Sequence, residues 1–185
     1  MISTSDFRNG TMFEMDGQLV SIVTVEHIKL ARQPAVIKAK LRNVLTGSIF
    51  EQSFKSGEKF RPVRIESTDA TYLYSDGTHY HFMDSKTYDQ VAVDEDMLDG
   101  VLPLLKEGST VFLQRYDDRL IGVELPINVD LKVVSTDPGF KGDTVSGGSK
   151  SAKLETGATI QVPLFIQSGD VIRVDTRDQS YVERA

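Results

Sequence analysis

Apolar and polar residues alternate with a period of two along much of the chain, in short runs separated by turn residues. In VIKAKLRNV, Ile37, Ala39 and Leu41 interleave with Lys38, Lys40 and Arg42. On a strand that spacing puts the apolar set on one face and the three cations on the other. TMFEM, then Asp16-Gly17, then QLVSIVTVE reads as a hairpin on a two-residue turn. Thr46-Gly47 turns into SIFEQSF, Ser56-Gly57 opens the charged stretch EKFRPVR, and Pro62 lies near the end of this first unit. Next, Tyr72-Leu73-Tyr74 and the run Tyr80 to Met83 flank Ser75-Asp76-Gly77 as a second hairpin. TVFLQRYDDRLIGVEL is a third hairpin, about Asp117-Asp118, and Pro126 closes the unit. VAVDEDMLDGVLPLLKEG predicts a short helix near 95–105, kept short by Pro103. VDLKVVS, ATIQVPLFI and DVIRVDT are predicted strands of a third unit. Between the first two lies DPGFKGDTVSGGSKSAKLETG, which reads as one long loop, and a loop of that length in so small a unit is more often functional than filler. The pattern as a whole predicts an all-β chain of small barrels or sandwiches, divided as 1–64, 65–127 and 128–185.

Charge separates these units. Residues 1–64 hold ten Lys/Arg and six Asp/Glu, residues 65–127 four and thirteen, and residues 128–185 seven and eight. A basic first unit beside an acidic second suggests different partners for different parts. The chain has 185 residues and no cysteine, which excludes disulfides, thiolate nucleophiles and Cys-ligated zinc. No apolar run has the length of a membrane helix, and MISTSDFRNG has no signal-peptide core, so the expected location is the cytoplasm, with no membrane partner.

Enzymatic chemistry finds little support. His79 and His81 share a face of a predicted strand and are enough to begin a metal site, but no third ligand is signposted. The acidic run Asp94-Glu95-Asp96 with Asp99 lacks the central Gly and closing Glu of a calcium loop, and reads as a solvated helix start. Gly147-Gly148-Ser149-Lys150 lacks the spacing of a phosphate loop, and no nucleophile elbow is present. The residues therefore give little support to an enzyme and call for no cofactor and no metal, with a metal-dependent enzyme on His79 and His81 left as a rival reading.

The basic features say more. Lys29, Arg32, Lys38, Lys40 and Arg42 fall within fourteen residues. Such a cluster suits phosphate contacts, where charge matters more than exact geometry. Lys141, Lys150 and Lys153 sit in or beside the Gly-rich loop of the third unit. KLARQPA, residues 29–35, joins two strands without the Asn-Gly or Asp-Gly that backbone geometry alone favours, so its cations imply a loop that reaches something.

These residues resemble one family, bacterial translation elongation factor P. KSAKLETGATIQVPLFIQSG (150–169) is similar to the family's C-terminal signature, with Lys150, Ala152, Gly157, Val162, Pro163 and Gly169 at its spacing. TDPGFKGDT (136–144), VDTRDQSYVERA (174–185), YLYSDG (72–77), DFRNG and KLRNVLTG match too, so the resemblance spans the whole chain. It implies an SH3-like (KOW-like) first domain followed by two OB-folds, set in an L shape resembling tRNA. It implies a monomer that binds both ribosomal subunits between the peptidyl and exit sites and relieves stalls at consecutive prolines. KLARQPA matches the loop that approaches the CCA end of peptidyl-tRNA, with Lys29, Arg32, Gln33 and Pro34 in it and Arg32 at its tip. Many members carry Pro-Gly-Lys-Gly there, with a modified Lys; here Leu30-Ala31-Arg32-Gln33 stands instead. Arg at the tip resembles a branch that rhamnosylates it, through a modifying enzyme, and another that leaves it bare. Gly142, Asp143 and Thr144 match a motif that reaches toward the exit-site codon, and Tyr181 and Arg184 match residues assigned to the RNA backbone. Lys38, Lys40 and Arg42 are expected on the RNA side of the first domain, and the acidic middle domain is expected to face basic ribosomal proteins. The competing readings are the family's paralogue and a generic OB-fold binder of single-stranded nucleic acid, which needs aromatics beside a basic groove.

Overall fold

The strand pattern produces three antiparallel sheets. The computed structural model describes residues 1–28, 35–138 and 148–185. By contact it divides into two units, residues 1–65 with 116–121, and residues 66–115 with 122–185. Strands β1 (Ile2–Ser3), β2 (Met12–Met15), β3 (Gln18–Ile28), β4 (Val36–Asn43), β5 (Ile49–Lys55) and β6 (Lys59–Pro62) form one sheet in the order β1-β6-β2-β3-β4-β5. Asp16 and Gly17 both take positive φ, 51° and 74°, as a two-residue turn between β2 and β3 requires. The charged stretch EKFRPVR yields β6, which pairs with both β1 and β2. Buried Thr4 joins the two ends of this sheet. Its hydroxyl donates to the Lys55 carbonyl at 3.3 Å and accepts the Gly57 N–H at 2.9 Å.

The core of this unit is aromatic. Phe7, Phe13 and Phe54 are buried, and Phe60 packs against them. Phe7 stacks on Phe13 at 4.9 Å, and Phe54 meets Phe60 edge-on at 5.3 Å. Such pairs add about 0.5–1.5 kcal/mol beyond the area they bury.

The second sheet runs β11-β10-β7-β8-β9, from β7 (Glu66–Ser75), β8 (His79–Asp84), β9 (Gln90–Asp94), β10 (Thr110–Tyr116) and β11 (Arg119–Glu124). Asp117 and Asp118 turn the β10–β11 hairpin with φ of 47° and 61°. The short helix expected near 95–105 is absent. Two single 3-10 turns stand there instead, Glu95–Leu98 and Leu102–Leu104. Gly100 at φ 77° breaks the run between them, and Pro103 lies inside the second. Asp84, buried at the end of β8, accepts N–H bonds from Lys86 and Thr87 and a 3.3 Å contact from Arg115. These backbone bonds, with Arg115 and Thr68 adding to them against the cost of burial, hold its carboxyl below the usual range.

The third sheet runs β14-β13-β12-β15-β16, from β12 (Asn128–Thr136), β13 (Ser149–Leu154), β14 (Thr159–Pro163), β15 (Val171–Asp175) and β16 (Ser180–Arg184). Edge strands β14 and β16 approach each other, which curls the sheet toward a barrel. The stretch expected as a single long loop between the first two strands of this unit is not all loop: residues 149–154 of it form β13. Ala152 and Leu154 are buried on β13, and the intervening Ser and Lys residues mask the alternation in the sequence.

Phe13→Ala is expected to destabilise the first unit by about 3–5 kcal/mol, read as a lower urea midpoint with a native-like spectrum. Asp84 sets an acid limb. Because its folded pKa is depressed, its contribution is present above about pH 4 and is lost as pH falls through the lower folded value. Asp84→Asn is expected to lower stability at neutral pH and flatten that limb, as measured by urea unfolding across the acid range.

Candidate nucleic-acid interface

The alternation on β4 decides which side of the first sheet is charged. Ile37, Ala39, Leu41 and Asn43 are buried, and Lys38, Lys40 and Arg42 are exposed. Buried Asn43 anchors the end of the strand: its Oδ1 accepts the Leu45 and Thr46 N–H groups, and its Nδ2 donates to Gln18. Across the ladder, Lys38 lies opposite Glu26 and Ser53, Lys40 opposite Thr24 and Glu51, and Arg42 opposite Ser21 and Ile49. Among the described residues, none of the three cations makes an ion pair. They form a row of exposed charges held by a rigid strand, with the connection from β3 at one end. Lys29, Arg32, Gln33 and Pro34, in that connection, lie outside the described residues.

Other cations are engaged within the protein. In the third sheet Arg173 lies between Asp130, at 3.0 Å, and Glu183, at 2.5 Å, across β12, β15 and β16. Arg177 folds back on Asp175 at 2.7 Å and lowers that carboxyl to about 2. Arg184 is exposed on β16, opposite Ile172. Tyr181 is half-buried, opposite Val174. Tyr181 also lines an open groove of about 700 Å³ with Gln161 and Pro163 of β14 and with Asp178. Lys150 and Lys153 belong to β13, where Lys153 is exposed and Lys150 half-buried. Lys141, Gly142, Asp143 and Thr144 lie outside the described residues. The sequence reading missed the groove. Its walls come from β14 and the β15–β16 turn, and a pattern of buried and exposed positions does not show which strands face each other at a seam.

The histidines take separate partners. His79 Nε2 lies 3.2 Å from Asp94, and His81 Nε2 lies 2.8 Å from Asp76 and stacks on Tyr74. The Asp76 carboxyl is held well below its usual range, first by the His79 N–H, then by the His81 side chain and the Thr78 N–H. Among the described residues, no group of three His, Cys, Asp or Glu side chains is arranged to hold a metal ion. Among the same residues, no helix is long and apolar enough to cross a membrane.

Three family models match the chain in order. The elongation factor P KOW-like domain matches residues 3–60, the elongation factor P OB domain matches 65–123, and the elongation factor P C-terminal model matches 129–184. An elongation factor P from Moorella thermoacetica is 46% identical over 185 residues, covering 100% of both chains. One from Coprothermobacter proteolyticus is 50% identical over 184 residues, covering 100% of this chain and 99% of the relative. Among solved structures, the eukaryotic translation initiation factor 5A from Methanococcus jannaschii aligns with a TM-score of 0.50 at 16% identity, covering 66% of this chain and 94% of that one, a likeness of fold. With matched domains along its length, and relatives this similar end to end, the chain belongs to the elongation factor P family of translation elongation factors.

Proposed function

We propose that the chain binds the ribosome beside peptidyl-tRNA, between the peptidyl and exit sites, and promotes peptide-bond formation at consecutive prolines. The observation that carries this reading is the row Lys38, Lys40 and Arg42, exposed on the strand that follows the KLARQPA connection. A rigid cationic strand suits a phosphate backbone, and a cationic loop at its end suits the end of a tRNA. Proline is a poor participant because its ring fixes φ and removes a donor. A factor that orders the tRNA end lowers the entropic part of the barrier without touching the bond being made. That kind of positioning reaches roughly 7–11 kcal/mol at its limit. The chemistry then belongs to the ribosome, and the chain acts as a positioning factor.

In this reading Arg32 is the tip of the probe and the candidate modification site, with Lys29, Gln33 and Pro34 shaping the loop. Loss of both flanking glycines stiffens it, so less entropy is lost on ordering and less help from a modification is needed. Gly142, Asp143 and Thr144 address the exit-site codon, and Tyr181 and Arg184 address the RNA backbone. The division 1–64, 65–127 and 128–185 gives each part its partner. The acidic middle domain faces basic ribosomal proteins, because like charge keeps it off phosphate.

Reconstituted translation of a message with three consecutive prolines is the direct test. Unmodified protein is expected to relieve the stall, and Arg32→Ala to lose most of that effect. Failure of both proteins, with a bare Arg32 in the native factor by mass spectrometry, overturns the reading. Alanine at Lys38, Lys40 or Arg42 is expected to change folding stability by less than about 0.5 kcal/mol. Each is also expected to reduce the salt dependence of ribosome binding by about one unit of log–log slope.

A further inference from the structure

Within the second unit, one threonine hydroxyl ties the C-terminal sheet to the 3-10 turn beside the middle sheet, and another ties it to the three-residue linker between the two sheets. Thr156, in the turn between β13 and β14, donates from Oγ1 to the Pro103 carbonyl at 2.6 Å. Thr176, just past β15, donates from Oγ1 to the Pro126 carbonyl at 2.6 Å, and its N–H donates to the Ile127 carbonyl at 2.8 Å. A third tie is ionic: Lys106 Nζ lies 3.1 Å from Glu155 Oε1. Glu155 is itself fixed by the Lys132 N–H at 2.8 Å.

Both hydroxyls find proline carbonyls. The proline ring fixes φ, so each acceptor sits on a backbone with one torsion fewer to wander. Buried Leu104 follows Pro103, and buried Leu125 precedes Pro126, which anchors both acceptors to the middle sheet's core. The threonines are half-buried, where losing a donor leaves a poorly solvated carbonyl. The chain between β11 and β12 is Leu125, Pro126 and Ile127 alone, so without lateral ties the two sheets would turn about a short tether.

We propose that Thr156 and Thr176, with the Lys106–Glu155 pair, are positioning residues that splint the middle and C-terminal sheets into one rigid body. The splint sets where the C-terminal groove is presented relative to the middle sheet. Its value to stall relief rests on the function proposed above; the splint itself does not.

The chain has no cysteine, so Met97→Cys, in the exposed 3-10 turn after β9, and Phe165→Cys, in the exposed turn after β14, give a unique spin-label pair. Pulsed electron spin resonance on the full chain is expected to give one narrow distance. Adding Thr156→Val with Thr176→Val is expected to raise the undocked population roughly 30-fold and broaden the distribution. Thr156→Ser with Thr176→Ser keeps the hydroxyls and is expected to stay narrow. Lys106→Met, at a surface position, tests the ionic tie if the valine pair does not fold, and is expected to broaden the distribution in part. A narrow distance in the valine pair and in Lys106→Met overturns the splint, as does equal broadening in the serine pair. Triple-proline synthesis is expected to fall with the valine pair and not with the serine pair; broadening with full stall relief overturns the positioning role. Because the distance measurement needs no ribosome, a wild-type protein that relieves no stall counts against the proposed function alone.

Discussion

A small β-sheet can bury only one of its two faces, and almost everything in this chain follows from how each sheet meets that limit. Phe7, Phe13, Phe54 and Phe60 fill the first core with large rigid rings, so few residues suffice. Once Ile37, Ala39 and Leu41 are committed inward on β4, the pleat gives Lys38, Lys40 and Arg42 no choice but solvent. The same packing that stabilises the fold thus displays the charge. The row is held by a strand with partners on both sides, so its spacing does not depend on flexible loops.

The sheets treat their charges differently. On the third sheet Arg173 is balanced by Asp130 and Glu183 across three strands. That ladder offers little net field to a phosphate backbone, because its positive charge is matched at close range. On β4 the acids Glu26 and Glu51 stand opposite the cations in register without closing ion pairs with them. Exposed pairs of that kind are weak in any case, so little is lost when a polyanion displaces the neighbour. The middle sheet uses its acids locally. Asp76 and Asp84 each collect backbone N–H groups at a turn, which makes them structural before they are electrostatic.

The turns were legible because their chemistry is local. Asp16-Gly17 and Asp117-Asp118 adopt the positive φ that a two-residue hairpin needs, and the need is written in those residues alone. The outward row on β4 was legible because a period of two in the sequence is a period of two in space. The region 95–105 misled because its acids and leucines favour a helix start, while Gly100 and Pro103 permit only single 3-10 turns. Strand β13 was hidden by its serines and lysines; its identity comes from pairing with β12 and β14.

By itself, the sequence determined the all-β class, the hairpin turns, the outward cations and, through motifs spaced along its whole length, the family. Each of these depends on residues close together in the chain or on a pattern of residue types. Tertiary structure decided which cations are neutralised by partners on other strands, where β14 and β16 meet to make a groove, and that Thr156 reaches Pro103 and Thr176 reaches Pro126. Those facts join residues tens of positions apart. The order of strands in a sheet sets them, and no local propensity encodes that order.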